Sequence, residues 1–149
     1  MLPLARFLTP LKFYPSAVLL LPVVAGLSSM ASEAFVNLPE VDIDPDGRFK
    51  YILIRATDAK TNEQKMIVRG YKWANFHADI FEDVEKKVHG TGVKVWCVGG
   101  GRILHTSQQK KLQVFGYSQG YGKADHSISV DLLKKVYPDY EITWSDDGY

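Results

Sequence analysis

The hydrophobic period of this chain changes twice within fifty residues, and that change limits the folds open to it more than any other feature. Phe49-Lys50-Tyr51-Ile52-Leu53-Ile54-Arg55 is rich in β-branched and aromatic residues and follows the turn signal Asp44-Pro45-Asp46-Gly47, so it reads as a strand. The polar stretch from Asp58 to Gln64 returns the chain to a second strand, Lys65 to Tyr71. From Asn75 the period lengthens: Phe76, Ile80, Val84 and Val88 form one apolar row, with Glu82, Glu85, Lys86 and Lys87 around the other face. This pattern predicts an amphipathic helix that ends near Gly90. Strand character resumes at Val93.

Val93 to Val98 reads as a third strand and Gly99-Gly100-Gly101 as a sharp connection. Arg102 to Thr106 and Lys111 to Tyr117 form a hairpin-like pair around Ser107-Gln108-Gln109. The glycine-rich loop from Ser118 to Lys123 leads to a second helix at about Ser129 to Val136, capped by Ser127 or Ser129 and stopped by Pro138. Tyr140 to Trp144 makes the last strand. The expectation is a single α+β domain, a mixed β-sheet of about six strands flanked by two helices, and not a regular parallel βαβ series.

Residues 1–29 differ from the remainder. They carry no acid and only two bases, Arg6 and Lys12, with an apolar run from Ala17 to Leu27 that Pro22 interrupts. That run is shorter than the ~20 residues needed to span a bilayer, so no membrane role is expected of the domain. The segment can be read as a secretory signal, as an Arg-poor mitochondrial presequence, or as an extension upstream of an alternative start at Met30. The third reading is preferred, because residues 30–149 make a complete domain by themselves. Cytoplasmic location follows from it, with mitochondrial import or secretion as the alternatives.

Apart from Arg6 and Lys12, all of the 18 Lys and Arg and 17 Asp and Glu residues lie beyond residue 29, so the domain is close to neutral. It lacks the broad positive field that holds nucleic acid, and any anion site must be local. The single cysteine, Cys97, excludes an intramolecular disulfide and a cysteine metal cluster. His77, His89, His105 and His126 show neither HExxH nor HxxxH spacing, and neither a metal nor another cofactor is expected.

Three features carry chemistry. His77 falls at the start of the first helix, one position off the apolar row. A histidine there is commonly a boundary residue, but the positive end of a helix disfavours imidazolium and leaves a neutral ring able to accept a proton near pH 7. Gly116-Tyr117-Ser118-Gln119-Gly120-Tyr121-Gly122-Lys123 lacks the GxxxxGK[ST] spacing, so it is not a Walker loop. It could still turn backbone N–H groups and the Ser118 hydroxyl toward an anion, or be an ordinary strand-to-helix loop. Arg69 and Arg102, at a strand end and a glycine-flanked turn, could clamp phosphate oxygens, and Lys50 could join them or simply face solvent. These residues together describe an oxyanion site without naming a substrate.

Longer strings add a resemblance. Val41-Asp42-Ile43-Asp44-Pro45-Asp46-Gly47 with Phe49-Lys50-Tyr51, then Ile67-Val68-Arg69-Gly70-Tyr71-Lys72-Trp73, His77-Ala78-Asp79-Ile80 and Gly99-Gly100-Gly101-Arg102-Ile103 are similar to the small phosphohistidine phosphatase (janus) family. Gly116-Tyr117-Ser118, Tyr121-Gly122, His126, Tyr137-Pro138-Asp139-Tyr140 and Asp147-Gly148-Tyr149 extend the likeness over residues 30–149. The resemblance implies a mixed sheet flanked by helices and metal-independent removal of phosphate from protein histidine, in some members also from lysine. It implies His77 as the catalytic general base, and Lys50, Arg69, Arg102 and Ser118 as phosphate or substrate contacts, with the Gly120 N–H completing the pocket. The partners implied are histidine-phosphorylated proteins, and the chain is expected to be a monomer. A noncatalytic phosphoprotein-binding protein is the alternative. Gly120 departs from the Ala common in the family, Gln119 from a Met, and the Asp58–Gln64 loop is short.

Overall fold

The computed structural model describes residues 30–148, so the expected extension 1–29 and the terminal Tyr149 lie outside the described residues. The described chain runs α1 (Glu33–Asn37), β1 (Val41–Ile43), β2 (Gly47–Asp58), β3 (Gln64–Tyr71), α2 (His77–Val88), β4 (Val93–Thr106), a 3-10 turn (Ser107–Gln109), β5 (Lys111–Phe115), α3 (His126–Val136) and β6 (Glu141–Trp144). The six strands form one sheet in the order β1-β3-β2-β4-β5-β6. Its centre is antiparallel, and the outer pairs β1/β3 and β5/β6 are parallel, so the sheet is mixed as expected.

The run Tyr51-Ile52-Leu53-Ile54 is apolar at every position because β2 is covered on both faces. Ile52 and Ile54, with Ile67 and Tyr71 of β3, pack under Ile80, Val84 and Val88 of α2. Tyr51 and Leu53, with Val68, Ile103, Leu112 and Val114, pack under Val130, Leu132 and Leu133 of α3. The apolar row of the first helix is confirmed for those three residues. Phe76 departs from it: it precedes the helix and is 70% exposed.

The triple glycine does not break the chain. β4 continues through it, with a bulge where Leu53 faces Gly99 and Ile54 faces Cys97. Gly99 has φ +155°, and a Cβ there would lie 2.6 Å from the Ala124 nitrogen. The glycines are present for close approach to both faces of the strand, which a reader of local turn signals takes for a turn. The expected total of six strands therefore holds by a different division: two expected strands merge into β4, and the unassigned Val41–Ile43 supplies β1. The described residues hold three helices, not two. The short α1 is capped by Ser32, whose Oγ accepts from Phe35 N–H at 3.3 Å. α3 starts earlier than expected, because Asp125 is its cap and accepts from Ser127 N–H at 3.0 Å, while Ser129 turns inward to Tyr51.

Asp58, at the end of β2, holds α1 to the sheet. Its carboxylate accepts from Ser32 N–H (3.2 Å) and Oγ, and from Thr61 N–H and Oγ1 (both 2.9 Å). These bonds, that of the Ser32 hydroxyl foremost, lower its pKa from 3.8 to about 2. A depressed carboxylate stabilises the fold above its unfolded pKa and loses that contribution as pH falls through the folded one. Between about pH 4 and pH 2 the wild-type melting temperature is therefore expected to fall more steeply than that of Asp58→Asn, which is less stable at neutral pH. Parallel acid limbs in thermal melts of the two proteins would refute this role.

Candidate active site

His77 is the first residue of α2, and the start of that helix is held by the Asp79 carboxylate. Asp79 reaches back so that its Oδ2 accepts from Phe76 N–H at 2.7 Å, which is half of a capping box. The imidazole lies against β4, and a Cβ on Gly100 would be 2.8 Å from its Cδ2. His77 Nε2 is 2.9 Å from the carbonyl oxygen of Gly101. A carbonyl only accepts, so Nε2 carries the proton, and in the neutral ring Nδ1 is the proton acceptor. Burial lowers the pKa of His77 from 6.5; the bond to Gly101 opposes this, and the Lys50 and Arg102 charges reinforce it. His77 is thus neutral near pH 7 with its basic nitrogen unprotonated.

Lys50 on β2 stands directly opposite Arg102 on β4. Like charges paired across strands repel. Here both border one cleft of about 580 Å³ with His77, Ser118 and Gly120, where an anion would relieve that repulsion. Ser118 is buried at the cleft floor, and its Oγ accepts from Tyr121 N–H at 3.2 Å, which leaves the hydroxyl proton available to a ligand. Reciprocal bonds between Ser118 and Gly122 (3.1 and 2.8 Å) close the loop on itself. Gly100 then holds that loop to the sheet, donating to Gly122 O and accepting from Ala124 N–H, each at 3.0 Å. One residue of β4 thus bears both the histidine ring and the anion loop.

Of the candidates read from the sequence, His77, Lys50, Arg102, Ser118 and Gly120 converge on this cleft, and Arg69 does not. Arg69 is 4% exposed, and its guanidinium donates to the carbonyls of Val68 (2.9 Å) and Pro39 (2.7 Å), tying the approach to β1 onto β3. Burial lowers its pKa, the nearby Tyr71, Asp42 and Asp83 oppose that, and its donors serve the backbone. Asn75, Phe76, Ala78, Gln119 and Tyr121 also line the cleft and were not singled out in the sequence. Their adjacency to His77 or Ser118 was the available signal. Gly120 is at the rim, and a Cβ built there meets nothing within 4 Å. Gly120→Ala is expected to keep kcat/KM within about twofold of wild type, as for an unconstrained surface change.

The opposite face of β4 carries a second histidine with a different task. Tyr51 O–H donates to His126 Nδ1, His126 Nε2 donates to Gly116 O at 2.9 Å, and Ser129 Oγ donates to the Tyr51 oxygen at 3.1 Å. Burial holds this ring neutral too, and its nitrogens are both engaged, so His126 braces the strand that precedes Ser118. Among the described residues, no group of three or more His, Cys, Asp or Glu side chains is placed to hold a metal ion. No described helix is long and apolar enough to cross a membrane.

Comparison with known proteins identifies relatives of the chain. The Janus/Ocnus family profile matches residues 35–141. The chain is 52% identical over 124 residues to the 14 kDa phosphohistidine phosphatase of Sus scrofa, covering 80% of this chain and 98% of that one. It is 51% identical over 125 residues to the human protein of that name, covering 80% and 100%. With the sex-regulated protein janus-A of Drosophila melanogaster it shares 44% over 123 residues, covering 83% and 90%.

Proposed function

The chain belongs to the Janus/Ocnus family, and on that premise we propose that it is a protein histidine phosphatase, hydrolysing the phosphoramidate bond of phosphohistidine on proteins. The observation that carries the reading is the hydrogen bond from His77 Nε2 to Gly101 O, which makes Nδ1 a base beside the Lys50 and Arg102 cations.

In this reading Lys50, Arg102, Ser118 Oγ and the loop N–H groups hold the phosphoryl oxygens, and His77 Nδ1 takes a proton from the attacking water. The water oxygen bonds to phosphorus, the P–N bond breaks with its electron pair on the departing imidazole nitrogen, and His77 passes the proton taken from water to that nitrogen and returns to its neutral form. A phosphoramidate P–N bond is weaker toward hydrolysis than a phosphate ester, so positioning and charge suffice without a metal. A rival route has Nδ1 attack phosphorus and carry the phosphoryl group before water releases it. Labelled phosphate trapped on His77 after a quench that avoids acid would select the second route. Phospholysine on proteins is a second substrate under this proposal. Under this proposal the chain works as a monomer in the cytoplasm, and its single cysteine, which rules out an intramolecular disulfide, fits a reducing compartment.

The test is phosphate release from a phosphohistidine peptide by the full chain with chelator present. Hydrolysis supports the reading, and tight binding without turnover at high protein concentration would replace it with a phosphoprotein-binding role. The pH profile gives a further check. A base whose pKa lies below 6.5 works when deprotonated, so kcat/KM should rise with pH through a pKa below that value and stay level to pH 8. A rise centred above pH 7 would exclude a neutral His77 as the base.

A further inference from the structure

We propose that Phe76 is a specificity-determining residue whose ring receives the imidazole leaving group of phosphohistidine; the inference rests on the phosphatase reading and names what the apolar wall of that cleft recognises. Phe76 occupies the N-cap of α2, a position where Ser, Thr, Asp and Asn are preferred because their side chains accept a backbone N–H. A phenylalanine there gives the helix no side-chain cap, and the structure compensates with Asp79 bonding the Phe76 main chain at 2.7 Å. The ring is 70% exposed, although the apolar row of α2 would have had it in the core. It lines the same cleft as His77, its immediate neighbour in the chain.

Two chemically distinct sets of residues line the cleft. Lys50, Arg102, Ser118 and the loop around Gly120 present charge and hydrogen bonds suited to a phosphoryl group, and Phe76, Ala78 and Tyr121 present apolar surface. Tyr121 is held edge-on to Phe81 with ring centroids 5.9 Å apart, which fixes that part of the apolar lining. The group that leaves a phosphohistidine is a flat aromatic ring bonded directly to phosphorus. With the phosphoryl held by the charged groups, that ring must lie within a few ångströms of it, inside the cleft that Phe76 lines. A planar aromatic partner matches a planar leaving group and gives a ring-free amine much less.

Three substrates separate the contributions: a phosphohistidine peptide, phosphoimidazole, which has the ring without the peptide, and the phosphoramidate ion, which has neither. In the full chain, Phe76→Ala should raise KM about tenfold for the first two, the size of an aromatic pair, with kcat little changed. It should leave phosphoramidate hydrolysis within about twofold of wild type, and Phe76→Tyr should retain wild-type constants on all three. The Asp79 bond is to the main chain and survives both changes, so an unchanged melting temperature accompanies the expected result. Equal losses on all three substrates, or a loss on the peptide alone, would overturn the assignment. Wild-type protein inactive on every substrate would bring down the phosphatase reading itself, an outcome distinct from a Phe76→Ala variant that matches an active wild type.

Discussion

Replacing His77 by alanine lowers kcat/KM for a phosphohistidine peptide by at least ~100-fold, the lower end of what a positioned general base contributes. The fold should survive the change. The side chain is only partly buried, and its ring hydrogen-bonds to a carbonyl that belongs to a sheet strand. Asp79 continues to hold the start of α2 through the Phe76 main chain. The loss should appear mainly in kcat, because Lys50, Arg102 and Ser118 still bind the phosphoryl group. An alanine variant as active as wild type would remove His77 from the mechanism, and an unfolded one would show His77 to be structural. Circular dichroism and thermal melts, run beside the activity measurement, separate these results.

The second large effect comes from a residue with no side chain. Gly100→Ala places a methyl group 2.8 Å from His77 Cδ2, 2.9 Å from the Tyr51 carbonyl oxygen and 3.1 Å from Ser118 Cβ. The Tyr51 oxygen belongs to the backbone of a central strand and cannot yield cheaply, so the histidine ring and the serine must move. Overpacking of this kind costs about 1–3 kcal/mol of stability, and a displacement of ~1 Å at a catalytic group can cost ~100-fold in rate. The expected result is a folded protein with a reduced melting temperature and a loss of activity approaching that of His77→Ala. Gly120→Ala, on the same loop system but in open space, is the control. Full activity in Gly100→Ala would mean that the close contact of ring and strand has no part in placing the base.

Both long helices and every strand but β1 were legible, β4 in two pieces, because each is written in a local period. Ile80, Val84 and Val88 pack as their spacing requires, and the unbroken apolar run of β2 is what a strand covered on two faces needs. Legibility failed where a local signal served a distant partner. The three glycines resembled a turn because glycine's usual cue is conformational, whereas here they admit His77 and Ser118 on one face and His126 on the other. Phe76 resembled a core residue because periodicity says nothing about where a helix begins. Ser129 resembled a cap because the hydroxyl of Tyr51 on the far side of the core cannot be foreseen from neighbours in sequence.

By itself the sequence determined the α+β class, the near-neutral charge that makes an anion site local, and the residue types able to handle a phosphoryl group. Its long strings placed it beside the phosphohistidine phosphatases. Only the tertiary structure decided which of those residues meet. Lys50 and Arg102 become neighbours through strand pairing, and Ser118 joins them because its loop bonds the backbone of Gly100. Arg69, two residues before the end of its strand, is drawn instead to the carbonyls of Val68 and Pro39. The tautomer of His77 was likewise a tertiary outcome, set by the Gly101 carbonyl on a different element. Composition and period are properties of a segment, but a proton acceptor aimed into a cleft requires several segments packed together, and that geometry exists only once the chain has folded.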